Sequence, residues 1–131
     1  MGEAENRASV ERLWELWQGR AWDDSIPLFH PDVEMDWPHT RERFVGRANV
    51  VEMNRAYPEG WSIELLRVVP DGDVVVSEIR VTAGDELFFA ASFFGFEDGL
   101  IRRVTEYWVT SPYEEPPAWR EPFRVRPGPA G

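Results

Sequence analysis

The sequence predicts an α+β fold in which three N-terminal helices precede a curved, mainly antiparallel sheet. Two observations support this. Apolar residues recur at helical spacing near the start of the chain, whereas the second half consists of four strand-like segments separated by turn sequences. The length of 131 residues, 43% of them hydrophobic, suits one domain with a single core.

Three helices are predicted within the first 57 residues. The first carries an apolar stripe at positions i, i+3, i+4 and i+7 and ends near Gly19. The second, over 22–29, is kept short by Pro27, and the third, over 48–57, ends at Pro58. The stripe of the first helix consists of Val10, Leu13, Trp14 and Trp17.

Five strands are predicted. The first, over 33–37, alternates apolar and polar residues between a His30-Pro31-Asp32 turn and a charged loop over 39–43. The other four are joined by short loops, including Ala83-Gly84-Asp85 and Glu97-Asp98-Gly99, so neighbouring strands should form antiparallel hairpins. These four cover residues 62–69, 74–82, 86–96 and 100–110.

The end of the chain differs from the domain that residues 1–110 are predicted to form. Residues 111–131 contain six of the 11 prolines, yet also Tyr113, Trp119 and Phe123. A flexible linker lacks such aromatic residues. We therefore expect a Pro-rich arm that is docked in part, on its own domain or on a partner subunit.

Composition excludes several classes of function. A net charge of −10 disfavours binding to nucleic acid or to an anionic membrane. The absence of Cys removes disulfides and thiolate metal sites, and the absence of Lys removes Schiff-base chemistry. We expect neither a metal site nor a cofactor. The polar N-terminus and the lack of a long apolar run favour a cytoplasmic protein.

Four segments together resemble the nuclear transport factor two-like superfamily, in its SnoaL-like branch, over residues 10–109. They are Leu28–Pro38, Phe44–Arg47, Gly99–Arg102 and Thr105–Trp108. Polyketide cyclases, ketosteroid isomerase and limonene epoxide hydrolase share this fold, a cystatin-like α+β roll. The resemblance implies a cone-like sheet wrapped around the helices, with an apolar pocket open at one end.

The resemblance also implies which strand residues face the pocket, because side chains alternate along a strand. We expect a small apolar or aromatic ligand there, with His39 at the rim and helical residues completing the wall. The strand residues are Val33, Met35, Trp37, Val76, Glu78, Arg80, Ala90, Ser92, Phe94, Val104, Glu106 and Trp108. The expected ligand-binding residues are Trp17, Trp37, His39, Tyr57, Ser92, Phe94 and Trp108.

Three charged residues form the expected catalytic group. If Glu97–Gly99 is a three-residue loop, Ala90 lies opposite Glu106, and its small side chain lets Arg80 reach across to that carboxylate. Glu106 would then be the acid/base, Arg80 its orienting partner or an oxyanion stabiliser, and Glu78 the second carboxylate. The alternative is a purely structural ion-pair cluster.

The resemblance does not extend to the polar residues of ketosteroid isomerase. Leu13, Trp37 and Ser92 occupy the positions where that enzyme has a Tyr and two Asp, so steroid isomerisation by that route is not expected. Three functions stay open. They are an enzyme of cofactor-free proton transfer, cyclisation or hydration, a non-catalytic carrier or sensor, and a dimeric interaction domain.

A second face of the sheet should also be apolar. Residues of opposite parity on the last two strands would point away from the pocket. Because a large exposed apolar face usually marks an interface, we expect a homodimer through the outer sheet face. These residues are Phe89, Ala91, Phe93, Tyr107 and Val109.

Overall fold

The computed structural model describes residues 2–127, and its helices lie before the long strands, as predicted. Helix α1 (Glu3–Gln18) buries the predicted apolar stripe and ends at Gly19. Helix α2 (Trp22–Ser25) is shorter than expected, because Pro27 lies in a 3-10 turn over Ile26–Leu28. Helix α3 (Arg47–Arg55) begins after Gly46, whose φ is +88°.

The sheet has six strands in the order β2-β1-β6-β5-β4-β3, and confirms the α+β prediction. Strands β1 and β6 are parallel, and the other neighbours are antiparallel. The sheet curves without closing, since β2 and β3 are its two edges within residues 2–127. The strands are β1 (Phe29–Trp37), β2 (Glu42–Val45), β3 (Trp61–Asp71), β4 (Val74–Ala83), β5 (Glu86–Glu97) and β6 (Leu100–Thr110).

The start of the sheet departs from the sequence prediction. Residues 30–32 are extended within β1, not a turn, and the β1–β6 register shifts between Phe29 and Glu34. The expected charged loop contains the short strand β2, which pairs with β1 and is mostly exposed. An edge strand with one solvated face needs no apolar pattern, so its charged residues gave no strand signal.

The β5–β6 hairpin has a different register from the predicted one. It turns through Asp98 and Gly99 alone, with φ of +53° and +77°, and not through three residues. A register shift between Gly95 and Phe96 adds a second one-residue displacement. Together they move partners by two positions, which preserves the predicted faces. Ala90 pairs with Trp108 and Ser92 with Glu106, so the expected pairing of Ala90 with Glu106 is wrong.

The side chains of β4 point to the opposite sides of the sheet from those predicted. The loop that follows β4 was expected to hold Ala83, but Ala83 pairs with Glu86, which leaves a two-residue turn between β4 and β5. A single-residue change of register moves every side chain of a strand to the other face. Consequently Ile79 is buried and packs against the helices, whereas Val76 points away from them.

The core lies between α1, α3 and the concave face of the sheet. Val10 and Leu13 of α1 and Val50 and Val51 of α3 are fully buried against strand residues such as Phe94. Burial of this apolar surface is the main force that holds the helices to the sheet. The arm leaves the domain after β6, where the Ser111 amide donates to the Leu87 carbonyl at 3.1 Å.

Candidate functional site

A tryptophan-walled cavity lies at the wide end of the concave face. Its free volume open to the centre of a water molecule is about 60 Å³, and six of the chain's seven Trp line it. Helices supply one wall and the inner faces of five strands supply the other. The lining residues are Trp14, Trp17, Trp22, Trp37, Asn54, Tyr57, Trp61, Ile63, Ile79, Val81, Phe88, Glu106 and Trp108.

A second, outer space of about 90 Å³ continues from this cavity towards solvent. It has four lining residues in common with the inner cavity and adds His39 and Thr110 at the rim. His39 lies beside Trp37, with ring centroids 6.1 Å apart. The structure thus places His39 at the rim of the outer space and Tyr57 in the wall of both spaces, and their contact with a ligand stays a prediction. The four common residues are Trp37, Tyr57, Phe88 and Trp108.

Glu106 is the acidic residue of the cavity, and only 2% of its surface is exposed. The Ser92 hydroxyl donates to its Oε2 at 2.7 Å, and the Trp37 indole N–H donates to its Oε1 at 2.8 Å. Strand pairing explains the first contact, because Ser92 lies directly opposite Glu106 on β5. The second crosses to β1, which runs parallel to β6 and brings Trp37 to the same end of the sheet.

Burial raises the pKa of the Glu106 carboxyl above its ordinary value of 4.5. Desolvation is the largest cause, because an apolar wall disfavours the charged form. Hydrogen bonds from Ser92 and Trp37, together with the nearby indole N–H of Trp108, act in the opposite direction by favouring the carboxylate. Among residues 2–127, no arginine or histidine forms an ion pair with this group, so nothing cationic offsets its desolvation.

Trp108 lies two residues beyond Glu106 on β6 and on the same face of the sheet. Its indole N–H is near enough to the carboxyl to lower the carboxyl's pKa, yet it does not reach hydrogen-bond geometry with any acceptor among the described residues. The ring packs edge-on against Trp37, with centroids 6.1 Å apart.

Two buried hydroxyl groups connect Glu106 and its hydrogen-bond donors to helix α1. Ser77 of β4 and Ser92 of β5 are register partners and are both fully buried. Ser77 accepts a hydrogen bond from the Trp14 indole at 3.0 Å, and Ser92 donates to Glu106. These partners satisfy polar groups that would otherwise be costly inside the core.

The expected ion cluster around Glu106 is wrong. Arg80 lies on the outer face, where its guanidinium contacts Glu64 of β3 at 2.9 Å, and Glu78 faces Arg67 on the same side at 3.5 Å. The reversed parity of β4 is the reason, since it places Ser77 and Ile79 in the positions predicted for charged residues. The structure therefore brings neither Arg80 nor Glu78 into the cavity.

Of the remaining predicted ligand-binding residues, some line the cavity and others do not. Trp17 lines the cavity, with its N–H donated to the Ser25 hydroxyl at 2.9 Å. Ser92 reaches the site through Glu106 and is not part of the wall. Phe94 lies deeper, in the packed core, where its ring meets Trp14 edge-on at 6.2 Å.

Sequence reasoning missed seven residues of the wall, which are Trp22, Asn54, Trp61, Ile63, Ile79, Val81 and Phe88. Ile79 and Val81 were hidden by the wrong β4 parity, and Trp22 lies on a helix too short to show periodicity. Trp61 begins β3 directly after Gly60, and Arg20 stacks over its ring at 3.4 Å from the centroid. For Trp22 and Trp61, the abundance of Trp in the sequence was the signal that could have indicated their place in the wall.

The described residues contain no group of three or more His, Cys, Asp or Glu positioned to hold a metal ion. In the inner cavity Glu106 is the single charged side chain among the lining residues within 2–127. Its chemistry is that of a lone, desolvated carboxyl group, which can donate a proton to a bound molecule and then accept one back.

Comparison with known proteins identifies the family. Residues 10–104 match the model of the SnoaL-like domain. The chain belongs to the SnoaL-like family. This family lies within the nuclear transport factor two-like superfamily, as the sequence resemblance implied. Curated proteins give no significant match.

Solved structures agree with this assignment. A protein from Kribbella flavida DSM 17836, proposed to be a ketosteroid isomerase, is 34% identical, with a TM-score of 0.86 over 98% of this chain and 93% of that one. A protein from Jannaschia sp. CCS1, proposed to be a SnoaL-like polyketide cyclase, is 19% identical, with a TM-score of 0.71 over 81% and 86%. The second likeness concerns the fold alone.

An epoxide hydrolase of M. tuberculosis, described as LEH-like, also has this fold. It is 20% identical, with a TM-score of 0.70 over 81% of this chain and 84% of that one. The SnoaL-like family therefore has neighbours with different proposed chemistries, and the fold does not select among them. Within residues 2–127, no helix is long and apolar enough to cross a membrane.

Proposed function

We propose that this SnoaL-like protein binds a small apolar or aromatic molecule in the tryptophan-walled cavity and that Glu106 exchanges a proton with it. The observation that carries this proposal is the burial of one carboxyl group in the apolar wall, held by Ser92 and Trp37. Burial raises the pKa of this carboxyl and so favours its protonated form, which is the form that can donate a proton. This supports cofactor-free proton transfer, cyclisation or hydration.

The hydrogen bonds around Glu106 suit both halves of a proton transfer. When the carboxyl gives its proton to the ligand, the negative charge stays on the two oxygens that Ser92 and Trp37 already contact. These donors need not reorganise, which is the advantage of a prearranged polar site. The proton returns to the same carboxylate when the product forms, so no cofactor is consumed.

The two connected spaces limit the size of the ligand. The inner cavity of about 60 Å³ lies beside Glu106, and the outer space of about 90 Å³ leads to His39. A molecule with one aromatic ring fits this arrangement, with its far end near the rim. The dense packing of indoles favours flat, apolar ligands over charged ones.

Proton exchange into an aryl ketone tests the acid–base role of Glu106. In heavy water, NMR would follow deuterium incorporation at the carbon beside the carbonyl of acetophenone, with and without protein. We expect Glu106→Gln to reduce the protein-dependent rate by at least about 100-fold, the usual scale of acid–base catalysis. Tryptophan fluorescence should show that ligand affinity changes by less than about tenfold.

Glu78→Gln is the matched control, because it makes the same substitution on the outer face. It should leave the exchange rate unchanged. Binding without any protein-dependent exchange would reject the acid–base role and favour the second candidate function, a non-catalytic carrier or sensor. The apolar Leu13, which occupies the place of a polar isomerase residue, is the observation that favours this second function.

We also propose that two copies of the chain associate through the outer sheet face. Apolar side chains there are partly exposed and adjacent across β3, β4, β5 and β6. The acidic groups beside them are paired with arginines, for example Glu64 with Arg80 and Glu34 with Arg103. The face is thus locally neutral despite the net charge of −10, so two copies can meet without repulsion. The apolar residues include Val69, Val76, Phe89, Phe93, Tyr107 and Val109.

A further inference from the structure

The Arg20 side chain joins three parts of the fold beside the cavity. Its guanidinium donates to both carboxylate oxygens of Glu59 at 2.9 Å, to the Trp61 carbonyl at 2.6 Å and to the Gln18 carbonyl at 2.8 Å. The same group stacks on the Trp61 ring, with its central carbon 3.4 Å from the ring centroid. A guanidinium can make all these contacts because its donors lie in one plane and its flat faces stay free for an aromatic ring. One side chain thus ties the end of α1 to the start of β3 and to the segment before it.

The backbone of Arg20 has a conformation that glycine usually adopts. Its φ is +60°, in the left-handed region. The Arg20 amide donates to the Trp17 carbonyl at 3.1 Å, and the Ala21 amide donates to the Leu16 carbonyl at 2.8 Å. This pair of bonds is a common way to end a helix, and glycine is the usual residue at the position of Arg20 because a side chain is strained there. Since the helix end would be better served by glycine, the contacts of the side chain are what account for an arginine.

We propose that Arg20 is a positioning residue that fixes Trp61 as a wall of the cavity and thereby limits the ligand to one aromatic ring. This rests on the proposed binding of a ligand in the same cavity. Trp61 lines the cavity and is 9% exposed, whereas Arg20 is not part of the wall within residues 2–127. The guanidinium therefore covers the outer side of the ring, and the cavity lies on its inner side.

Arg20 also anchors the segment that connects α3 to β3, residues 56–60. All five residues are exposed, and Gly60, with a φ of +110°, has open space around it. Tyr57 in this segment lines both the inner cavity and the outer space. The hydrogen bond from Arg20 lowers the pKa of the Glu59 carboxyl, so the pair that holds the segment is ionised at neutral pH. Two wall residues, Tyr57 and Trp61, thus depend on the same arginine.

Two fluorinated probes measure the size limit directly. Fluorobenzene has one ring and 1-fluoronaphthalene has two, and a fluorine NMR titration gives the dissociation constant of each. We expect the wild type to bind fluorobenzene at least about tenfold more tightly, because the fixed Trp61 ring prevents the cavity from widening. Arg20→Gly should bring the two affinities within about twofold, since the ring can then move aside. The variant should fold, because glycine suits the helix end and Gln18 still holds β3 to α1 through Ser62.

Arg41→Gly is the matched control. Arg41 has nearly the same backbone conformation, with a φ of +62°, and its side chain forms no hydrogen bond or ion pair within residues 2–127. This control should keep the preference for one ring. Glu59→Gln is a second variant, which keeps the stacking on Trp61 and removes the ion pair. It should reduce the preference by about threefold, the scale of an exposed ion pair.

A purely structural role for Arg20 would lower the stability of the fold and leave the ratio of the two affinities unchanged. Equal affinities in the wild type, a one-ring preference retained in Arg20→Gly, or the same loss of preference in Arg41→Gly would each overturn the proposal. Failure of both probes to bind would overturn the proposed ligand binding with it. If Arg20 sets the size limit while Glu106→Gln leaves deuterium exchange unchanged, the acid–base role fails and the role of Arg20 stands.

Discussion

At the scale of single residues, the main feature is one carboxyl group in an environment that disfavours its charge. Glu106 is surrounded by indoles and receives two short hydrogen bonds, but no cation pairs with it among residues 2–127. Structural carboxylates inside proteins are normally paired with cations. A lone carboxyl facing a cavity is instead typical of groups that exchange protons.

The raised pKa of Glu106 makes the protein's stability depend on pH in a definite direction. Its pKa is higher in the folded state than the ordinary 4.5 of the unfolded chain, so the folded state binds this proton more tightly. The stabilisation that protonation of Glu106 contributes to the folded state is fully present below pH 4.5, and it is lost as pH rises through the folded-state pKa. The loss is at most about 1.4 kcal/mol per pH unit for a single proton.

Glu106→Gln removes this dependence. We therefore expect the free energy of unfolding of the variant, relative to that of the wild type, to increase as pH rises from 5 to 8. Urea unfolding at several pH values, followed by tryptophan fluorescence, measures the difference. A constant difference across this range would show that burial does not perturb the carboxyl.

At the scale of elements, one residue in a turn decided the location of a whole set of charges. The turn between β4 and β5 is one residue shorter than the sequence suggested, and every β4 side chain changes face as a result. Ile79 becomes a wall residue with 1% exposure, and its neighbour Arg80 reaches solvent with Glu64. Adjacent residues on a strand therefore have opposite roles.

Substitution of these two neighbours tests the strand's orientation. Ile79→Ala should lower the free energy of unfolding by about 2–5 kcal/mol, because it deletes buried methyl groups and enlarges a cavity. Arg80→Ala should change it by less than about 1 kcal/mol, since the side chain of its ion-pair partner Glu64 is 58% exposed and water screens the pair. Chemical denaturation of both variants measures the two values. A larger loss for Arg80→Ala than for Ile79→Ala would contradict the observed register.

At the scale of the molecule, the two faces of the sheet have different tasks. The concave face holds the core and the cavity, whereas the convex face carries exposed aromatic and aliphatic side chains such as Phe93 and Tyr107, whose rings meet edge-on at 6.0 Å. A patch of this kind on a protein of 15.2 kDa is costly in water, and self-association would cover it.

Light scattering coupled to size exclusion tests this proposed association. We expect a dimer for the wild type at micromolar concentration and a monomer for Tyr107→Glu, because a two-fold interface would place the new charges close together. Val45→Glu is the matched control, because Val45 is exposed to a similar extent, 55% against 52%, and lies on the edge strand β2, outside the proposed apolar patch on β3 to β6. A wild-type monomer would refute the interface.

The C-terminal arm is a further property of the whole chain. Its aromatic residues are exposed, with Trp119 at 69% and Phe123 at 85%, and Arg126 pairs with Glu115 within the arm at 3.1 Å. The expected docking of this arm stays a prediction, and residues 128–131 lie outside the described part.

The sequence by itself determined the class of fold, the helical stripe, the strand segments and the placing of Glu106 among aromatic residues. These follow from local rules, since periodicity and parity within one element need no knowledge of its neighbours. The parity of β6 was correct for this reason: Glu106 and Trp108 lie two apart on one strand, whatever that strand pairs with.

Only the tertiary structure decided which side chains meet. Whether Arg80 or Ile79 faces Glu106 depends on the number of residues in a turn, a difference of one residue that composition does not reveal. The contact of Trp37 with Glu106, two residues 69 positions apart in the sequence, depends on the parallel pairing of β1 with β6. Non-local contacts of this kind follow from the packing of the whole chain, because short segments carry no information about their distant partners.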